Sequence, residues 1–328
     1  MKSLKTLSVA FADTSLELPY IEYDSWKPWK RIAIISGVHG DEINWIKIIH
    51  DFMEWFDHHI WEAFQWTLVF VPIVNVFGYL KWKRRVPIDN VDLNRSFFSA
   101  EPKSFSTYFA QKFFNKILAW SDAVIDIHDA WERDVLPPHS RFFPNDPTSA
   151  KMAELLGTKI AIKRKWKKWM LAKYLEKNAI PSLTVEVWWN KKYNIKWQKL
   201  IHVWSIRILD YFWIFSQSYE LPNVHEMSIY TKRYAFKAAS TWLVEVYKEL
   251  QDVVLQWEVV WLFFDPLTQK KVELISPVNG IVFSIWTANS IYAWAKIISF
   301  LVTHKFPIET FSLDPVYDWL CTFEDCPM

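Results

Sequence analysis

Residues 31–42 read Arg-Ile-Ala-Ile-Ile-Ser-Gly-Val-His-Gly-Asp-Glu. The run from Arg31 to Ser36 is short, apolar and rich in β-branched side chains, which predicts a buried β-strand. Gly37 and Gly40 then allow a tight turn, and the apolar spacing from Ile43 to Phe56 is that of a helix. A strand, a glycine turn and a helix in this order are typical of an α/β domain.

The same alternation of short apolar runs and longer helical stretches continues along the chain. It predicts a sheet flanked by helices. The predicted strands are an opening strand at Leu7–Ala12, then Arg31–Ser36, Thr67–Asn75, Ala123–His128 and Ser182–Val187. The predicted helices after the first are Ser104–Trp120, Thr148–Leu156 and Asn194–Phe215.

The spacing of apolar residues changes after Tyr219-Glu220-Leu221-Pro222, where the alternating pattern of short strands replaces helical spacing. We therefore predict a catalytic α/β domain over residues 1–221 and an all-β domain over residues 222–328. Within the second domain, Gln251–Leu262 and Asn289–Leu301 each place apolar residues around a tryptophan. This similarity favours a small barrel-sandwich repeat.

The 328 residues carry a formal net charge of +2 at pH 7, which gives no reason to expect nucleic acid as a partner. The apolar stretch near the N-terminus is too short for a signal peptide, and no stretch is long enough to span a bilayer. Cys321 and Cys326 do not make a secreted-type disulfide framework; a single bridge and two free thiols both fit. We expect a cytoplasmic protein with no membrane partner, and its oligomeric state stays open.

Tryptophan and glycine occur in unusual numbers, 22 and 5. Ordinary usage of about 7% would give about 23 glycines in a chain of this length. Several tryptophans also stand where a turn calls for glycine, among them Trp188, Trp257 and Trp294. We hypothesise that the native gene reads UGA as glycine and that the printed sequence gives tryptophan at those codons. The alternative is a protein that is truly rich in tryptophan.

Two segments offer metal ligands. His39 and Glu42 are three residues apart on a strand-to-helix turn, where an imidazole nitrogen and a carboxylate oxygen can bind one ion. His128 ends a predicted strand, at the sheet edge where open α/β folds place their sites. Asp126, two residues earlier, suits a hydrogen bond that orients an imidazole. Taken singly, Glu42 is equally a first-turn acid of a helix, and His128 a strand-end histidine.

Two further segments offer groups for a reaction. Glu186 is the one carboxylate in the apolar run Pro181–Val187, a position that favours proton transfer; the alternative is an edge-strand glutamate facing water. Asn94 and Arg95 in Asp92–Phe97 pair an amide with a planar guanidinium, which suits a substrate carboxylate. The alternative for this pair is a structural ion pair on a surface loop.

In this order the four motifs resemble the succinylglutamate desuccinylase and aspartoacylase family, a branch of the zinc carboxypeptidase fold. The motifs are Gly-Val-His-Gly-Asp-Glu at residues 37–42, Asp-Leu-Asn-Arg at 92–95, Asp-Ile-His-Asp at 126–129 and Val-Glu-Val at 185–187. The resemblance implies a zinc-carboxypeptidase-like mixed sheet flanked by helices, a C-terminal all-β (barrel-sandwich-like) domain and one Zn²⁺ per chain.

The resemblance also implies roles for individual residues. His39, Glu42 and His128 would hold the zinc, Asn94 and Arg95 would bind a carboxylate, and Glu186 would be the general base. An upstream arginine is expected to polarise the scissile carbonyl; Arg84 and Arg85 are the candidates, and Arg84 has the better spacing. The family commonly has glycine where Trp45 and Trp188-Trp189 stand, and the UGA hypothesis accounts for these departures.

The implied reaction is hydrolysis of an N-acyl amino acid, or a similar small carboxylate-bearing amide, by a metal-activated water. The acyl group, the amino acid and the choice between amide and ester stay open. A metallocarboxypeptidase that acts on peptides is an alternative with the same ligands. A binding protein that keeps the fold without catalysis is another.

Overall fold

The computed structural model describes residues 1–27, 30–59, 64–98, 101–129, 134–187, 205–216, 227–238, 241–288, 290–303 and 321–322. These residues form two compact units. The first comprises described residues of 1–129, 139–186 and 191–228, and the second those of 130–138, 187–190 and 229–328.

The described residues form nineteen strands and five α-helices. The strands are β1 (Lys2–Phe11), β2 (Thr14–Asp24), β3 (Arg31–Ser36), β4 (Thr67–Val71), β5 (Ala123–Asp129), β6 (Asp134–Val135), β7 (His139–Phe142), β8 (Ile160–Lys163), β9 (Ser182–Val187), β10 (Ser228–Tyr230), β11 (Arg233–Lys237), β12 (Trp242–Val246), β13 (Val253–Val254), β14 (Val259–Phe264), β15 (Lys271–Ile275), β16 (Gly280–Trp286), β17 (Ser290–Ile291), β18 (Lys296–Val302) and β19 (Cys321–Thr322). The helices are α1 (Asn44–His59), α2 (Val76–Leu80), α3 (Phe105–Phe113), α4 (Pro147–Leu156) and α5 (Leu171–Lys177).

The first unit is built on a mixed sheet, as the resemblance implied. The strand order within this unit is β1-β2-β4-β3-β5-β9-β7-β8. β3 lies at the centre and pairs in parallel with both β4 and β5. The pairs β1–β2, β2–β4 and β7–β9 are antiparallel. The fold class predicted from the sequence is confirmed.

Strand predictions were closest where the strand is buried on both faces. β3 and β9 have the predicted bounds, and β5 extends one residue further, to Asp129. β4 ends at Val71, four residues before the predicted end at Asn75. Pro72 follows immediately and has no N–H to donate to a neighbouring strand, so the apolar run continues as a loop.

The helix predictions were correct in type and shifted at their ends. α1 and α4 differ from the predicted bounds by one to three residues. α3 ends at Phe113, and the chain continues as a π-helical turn to Leu118 instead of an α-helix to Trp120. Residues 205–211 are helical within the predicted 194–215 helix, of which 194–204 lie outside the described residues.

One face of the first sheet packs against α3 in a hydrophobic core. Alternate residues of the central strands point the same way, so that Ala33, Ile35 and Val124 are buried together. They pack with Phe109 and Phe113 of α3 in one cluster. This packing holds the central strands in place at the edge where the predicted site residues lie.

The second unit is all β in its described residues and antiparallel throughout. One sheet has the order β13-β16-β18-β11-β19, with β6 also paired to β16, and the other has the order β15-β14-β12-β17. The two similar stretches of sequence share one local structure: a two-residue strand, a turn and a longer strand, as in β13–β14 and β17–β18. Trp257 and Trp294 occupy the same place in these two turns.

Tryptophan takes up many of the left-handed backbone positions. In the described residues, eleven non-glycine residues have positive φ, and six of them are Trp26, Trp66, Trp82, Trp213, Trp257 and Trp294. Such a backbone is unfavourable for a side chain with a Cβ and suits glycine. Glycine at these six positions would remove the strain, as the UGA hypothesis predicts. Trp188 and Trp189 lie outside the described residues.

Three other tryptophans are buried with an unsatisfied indole. The Nε1 atoms of Trp45, Trp166 and Trp261 are buried and have no hydrogen-bond partner among the described residues. A buried indole N–H usually finds a partner, because losing its bond to water is costly. Trp261 does not have positive φ, so in its case the burial of the indole, and not the backbone, departs from what tryptophan prefers.

No helix in the described part of the chain is long and apolar enough to cross a membrane.

Candidate active site

The turn after β3 is shaped by two glycines. Gly37 has a φ of +64°, and its carbonyl accepts from Asn75 N at 2.7 Å, while that of Ser36 accepts from Val74 N at 3.0 Å. A Cβ on Gly40 would lie 2.0 Å from the carbonyl carbon of Gly78. The two backbones therefore meet without side chains between them, and the turn is fixed directly before α1.

His39, Glu42 and His128 form one buried cluster. Their potential ligand atoms all lie within 4.8 Å of one another. His39 Nδ1 is 2.7 Å from Glu42 Oε1, and His128 Nδ1 is 2.9 Å from Glu42 Oε2. The β3–β5 register, which pairs Ser36 with Ile127, brings His128 to the same sheet edge as the turn.

A carboxylate stands behind each imidazole. His128 Nε2 is 2.9 Å from Asp126 Oδ2, and His39 Nε2 is 3.2 Å from Asp92 Oδ1. The sequence predicts this role for Asp126, whereas Asp92 is identified by the structure. Each imidazole is thus held by its Nε2 with its Nδ1 facing Glu42, the arrangement that orients histidine ligands in metal sites.

The charges of the cluster favour a cation between the imidazoles and Glu42. Burial opposes a charge on Glu42, yet His39 and His128 outweigh it and hold the pKa of this carboxyl well below its usual range. Burial likewise opposes a charge on His128, yet Asp126 and Glu42 raise the pKa of its imidazole well above its usual value. A pocket that stabilises positive charge in this way suits a divalent metal ion.

The donor set fits zinc. Two imidazole nitrogens and one carboxylate oxygen are three ligands of the kind that catalytic zinc sites use, and carboxylates orient both imidazoles. His50, Asp51 and Glu54 form another group of metal-ligating side chains, on α1. Lys47 already binds the Asp51 carboxylate and His50 is exposed, so the buried cluster is the better metal site.

The structure separates the two candidate arginines. Arg84 Nη1 donates to Glu42 Oε1 at 3.0 Å, and its Nε lies 3.9 Å from Asp92 Oδ2. Arg85 donates to the carbonyl of Asn90 at 3.1 Å, in an exposed loop. Arg84 is therefore beside the cluster, and Arg85 contacts its own loop.

Asn94 and Arg95 follow Asp92 in a short 3₁₀ helix (Leu93–Arg95). Asn94 is buried, and its Oδ1 accepts from Leu171 N at 2.9 Å, which fixes the orientation of the amide. Arg95 Nη1 donates to the carbonyl of Asn94 at 2.8 Å. Burial lowers the pKa of Arg95, and Asp92 opposes that shift.

Asp129 joins the cluster to the start of α1. Its Oδ2 accepts from Asn44 N, the first residue of the helix, at 3.2 Å, and its own N–H donates to Glu42 Oε2 at 3.2 Å. Burial and the nearby Glu42 raise the pKa of the Asp129 carboxyl well above its usual value. Asp129 therefore caps the start of α1 and also contacts Glu42.

Glu186 lies on β9, the neighbour of β5, and is buried. The alternative interpretation, an edge-strand glutamate that faces water, is therefore wrong. Its Oε1 is 3.0 Å from Nη1 of the buried Arg141 on β7. Sequence reasoning missed Arg141 and His139, since the four-residue strand His-Ser-Arg-Phe has no apolar spacing to mark it as buried.

Comparison with known proteins identifies a family of deacylases for the segment that carries the buried cluster. Residues 28–190 match the family described as succinylglutamate desuccinylase/aspartoacylase catalytic domain. The chain belongs to this family, as its motifs indicated. No curated protein matches the sequence.

Solved structures of low sequence identity share the fold. The product-bound ectoine utilization protein EutE (DoeB) from Ruegeria pomeroyi is 18% identical with a TM-score of 0.79, over 92% of this chain and 95% of that one. A succinylglutamate desuccinylase/aspartoacylase from Rhodobacter sphaeroides is 17% identical with a TM-score of 0.78, over 93% and 96%. An aspartoacylase family protein from Mesorhizobium loti is 17% identical with a TM-score of 0.74, over 92% and 96%.

Proposed function

We propose that the protein is a zinc-dependent amidohydrolase that removes the acyl group from an N-acyl amino acid or a similar small amide bearing a carboxylate. The observation that carries this proposal is the buried cluster of His39, Glu42 and His128, with a carboxylate behind each imidazole. The family is one of deacylases, and the names of similar structures refer to succinylglutamate and aspartoacylase. Both support this substrate class.

Each residue of the cluster has a defined task in the proposal. His39, Glu42 and His128 would hold one zinc ion, which when bound supplies a Lewis acid that makes a water nucleophilic at neutral pH. Glu186 is the general base: it takes a proton from the attacking water and passes it to the departing amine. Arg84, 3.0 Å from Glu42, would stabilise the negative charge that develops on the carbonyl oxygen.

The substrate carboxylate would be bound by Asn94 and Arg95. The bond from Leu171 N to Asn94 Oδ1 sets the direction of the Asn94 amide nitrogen, the donor that the proposal uses. A fixed carboxylate would hold the amide at one position relative to Glu186, and such positioning accounts for much of the rate gain in enzymes.

A substrate panel on zinc-loaded protein tests the proposal. N-acetyl and N-succinyl amino acids are compared with short peptides, and release of the free amine is measured. Hydrolysis of the acyl amino acids is expected. Cleavage of peptides alone would indicate a metallocarboxypeptidase, and zinc binding without any turnover would indicate a binding protein; either outcome overturns the proposal.

The base is tested by Glu186→Gln, which is expected to lower kcat by about 10²–10⁴-fold, the usual contribution of a positioned general base. Zinc content should stay equal to that of the parent, because Glu186 is not one of the ligands. Glu154→Gln is the matched control, since Glu154 is an exposed carboxylate on α4. Unchanged turnover in Glu186→Gln would remove the assigned base.

A further inference from the structure

Glu186 belongs to a buried group of three side chains on two paired strands. Arg141 is 2% exposed, His139 is fully buried and Glu186 is 5% exposed. Arg141 Nη1 lies 3.0 Å from Glu186 Oε1, and Arg141 Nε donates to His139 Nε2 at 3.1 Å. The guanidinium therefore bridges an imidazole and the carboxylate of the proposed base.

The strand register explains why these side chains meet. β7 and β9 are antiparallel, with His139 opposite Glu186 and Arg141 opposite Thr184. Directly opposed residues point to the same face, and residues two apart on one strand do so as well. His139, Arg141 and Glu186 thus share a face, and the long Arg141 side chain reaches diagonally to the carboxylate.

The contacts fix the direction of the guanidinium. Arg141 Nε donates to His139 Nε2, so this nitrogen is an acceptor. The hydrogen bond fixes one side of the guanidinium. On the other side, Nη1 lies 3.0 Å from Glu186 Oε1. The carboxylate of the proposed base is thereby paired with a guanidinium that is itself anchored by His139.

Arg141 is poorly explained as a residue that stabilises the fold. Its Nη2 is buried and has no hydrogen-bond partner among the described residues. A buried ion pair seldom stabilises more than apolar residues of the same volume would, and an unsatisfied N–H adds to its cost. A role in holding Glu186 gives this arrangement a reason.

We propose that Arg141 is a positioning residue that holds the Glu186 carboxylate in the direction from which it takes the proton of the attacking water, with His139 anchoring the guanidinium. This inference rests on the proposed hydrolase function. Arg141 acts through Glu186 and does not touch the substrate. Loss of Arg141 should therefore reduce kcat and leave KM and zinc content nearly unchanged.

A double-mutant cycle tests this role. Arg141→Met, which keeps an unbranched apolar stem without the guanidinium and its charge, is expected to lower kcat about 10–100-fold, the effect of a small misplacement of a reacting group. In the Glu186→Gln background the same change should lower kcat less than about threefold, because residues that act as a unit have non-additive effects. Arg141→Lys, which keeps one cation, should recover part of the loss.

The outcomes separate this inference from the function on which it rests. If the parent protein hydrolyses none of the acyl amino acids, the proposed function is overturned and the role of Arg141 falls with it. If the parent is active and Arg141→Met keeps its kcat, or loses equal factors in both backgrounds, only the role of Arg141 is overturned. Should Arg141→Met fail to fold, Arg141→Lys carries the same cycle against Glu186→Gln.

Discussion

Replacing five exposed tryptophans by glycine is expected to stabilise the protein. Trp26, Trp82, Trp213, Trp257 and Trp294 have φ between 53° and 73° and are 47–73% exposed. A side chain in the left-handed region costs about 1–2 kcal/mol per residue, or about 5–10 kcal/mol for five. The extra freedom of glycine in the unfolded chain offsets about 0.5–1 kcal/mol each, or about 2.5–5 kcal/mol for five, which leaves a net gain centred on about 4 kcal/mol.

Urea unfolding followed by far-UV circular dichroism measures this gain. The five-fold variant should unfold at a higher urea concentration than the printed sequence, because it removes backbone strain at five positions whose side chains are 63–73% exposed in four cases and 47% exposed in Trp257. Trp120→Gly is the matched control, because Trp120 is 78% exposed and does not have positive φ. It should leave stability unchanged or lower it by about 0.5–1 kcal/mol.

An equal or lower midpoint in the five-fold variant would refute the argument from backbone strain. The coding hypothesis has its own test, the intact mass of the protein isolated from its native source. Each UGA codon read as glycine makes the native molecule lighter than the printed sequence, and a mass equal to that of the printed sequence would disprove recoding.

Three further changes are expected to have measurable effects. Gly40→Ala should lower the free energy of unfolding by about 1–3 kcal/mol, because its Cβ would lie 2.0 Å from the Gly78 carbonyl carbon; an unchanged urea midpoint would contradict this. Asp126→Asn should weaken zinc affinity about 10–100-fold, measured in competition with a chromophoric chelator, because the neutral amide replaces the carboxylate that orients the His128 imidazole. Burial and Asp57 raise the pKa of Tyr23, so above about pH 10 the parent should lose stability faster than Tyr23→Phe; parallel pH profiles would exclude this.

The sign of the tyrosine effect follows from proton linkage. The pKa of Tyr23 is higher in the folded state than in the unfolded chain, so the folded state binds the proton more tightly. Its contribution to stability is fully present below the unfolded pKa and is lost as the pH rises toward the folded one. Phenylalanine has no proton to lose and serves as the baseline.

Much of the first sheet could be predicted because its central strands are buried on both faces. Arg31–Ser36 and Ser182–Val187 are apolar runs bounded by turn residues, and their strands have the predicted limits. The run that contains β4 misled the prediction because Ile73 and Val74 are apolar yet lie beyond Pro72, in the loop that pairs with the glycine turn. Apolar character records burial, and it does not distinguish a buried strand from a buried loop.

The sequence predicts candidate site residues that share a motif, and it does not predict those that only the fold brings together. His39 and Glu42 are neighbours in sequence, and His128 stands at a strand end, so spacing alone suggested them. Arg141 and Glu186 are 45 positions apart and meet through the register of β7 and β9. A single sequence contains no signal for that register, because it depends on which strands become neighbours.

The strand order divides the chemistry of the site into two separable parts. Everything that would grip the ion stands on the β3 turn, the segment after it and β5, whereas the proposed proton carrier and its arginine stand on β9 and β7. Substitution of Glu186 and Arg141 alone would alter proton transfer and leave the proposed metal ligands unchanged. If the proposed function holds, changing these two side chains would convert the proposed hydrolase into a protein that binds the metal without catalysing the reaction.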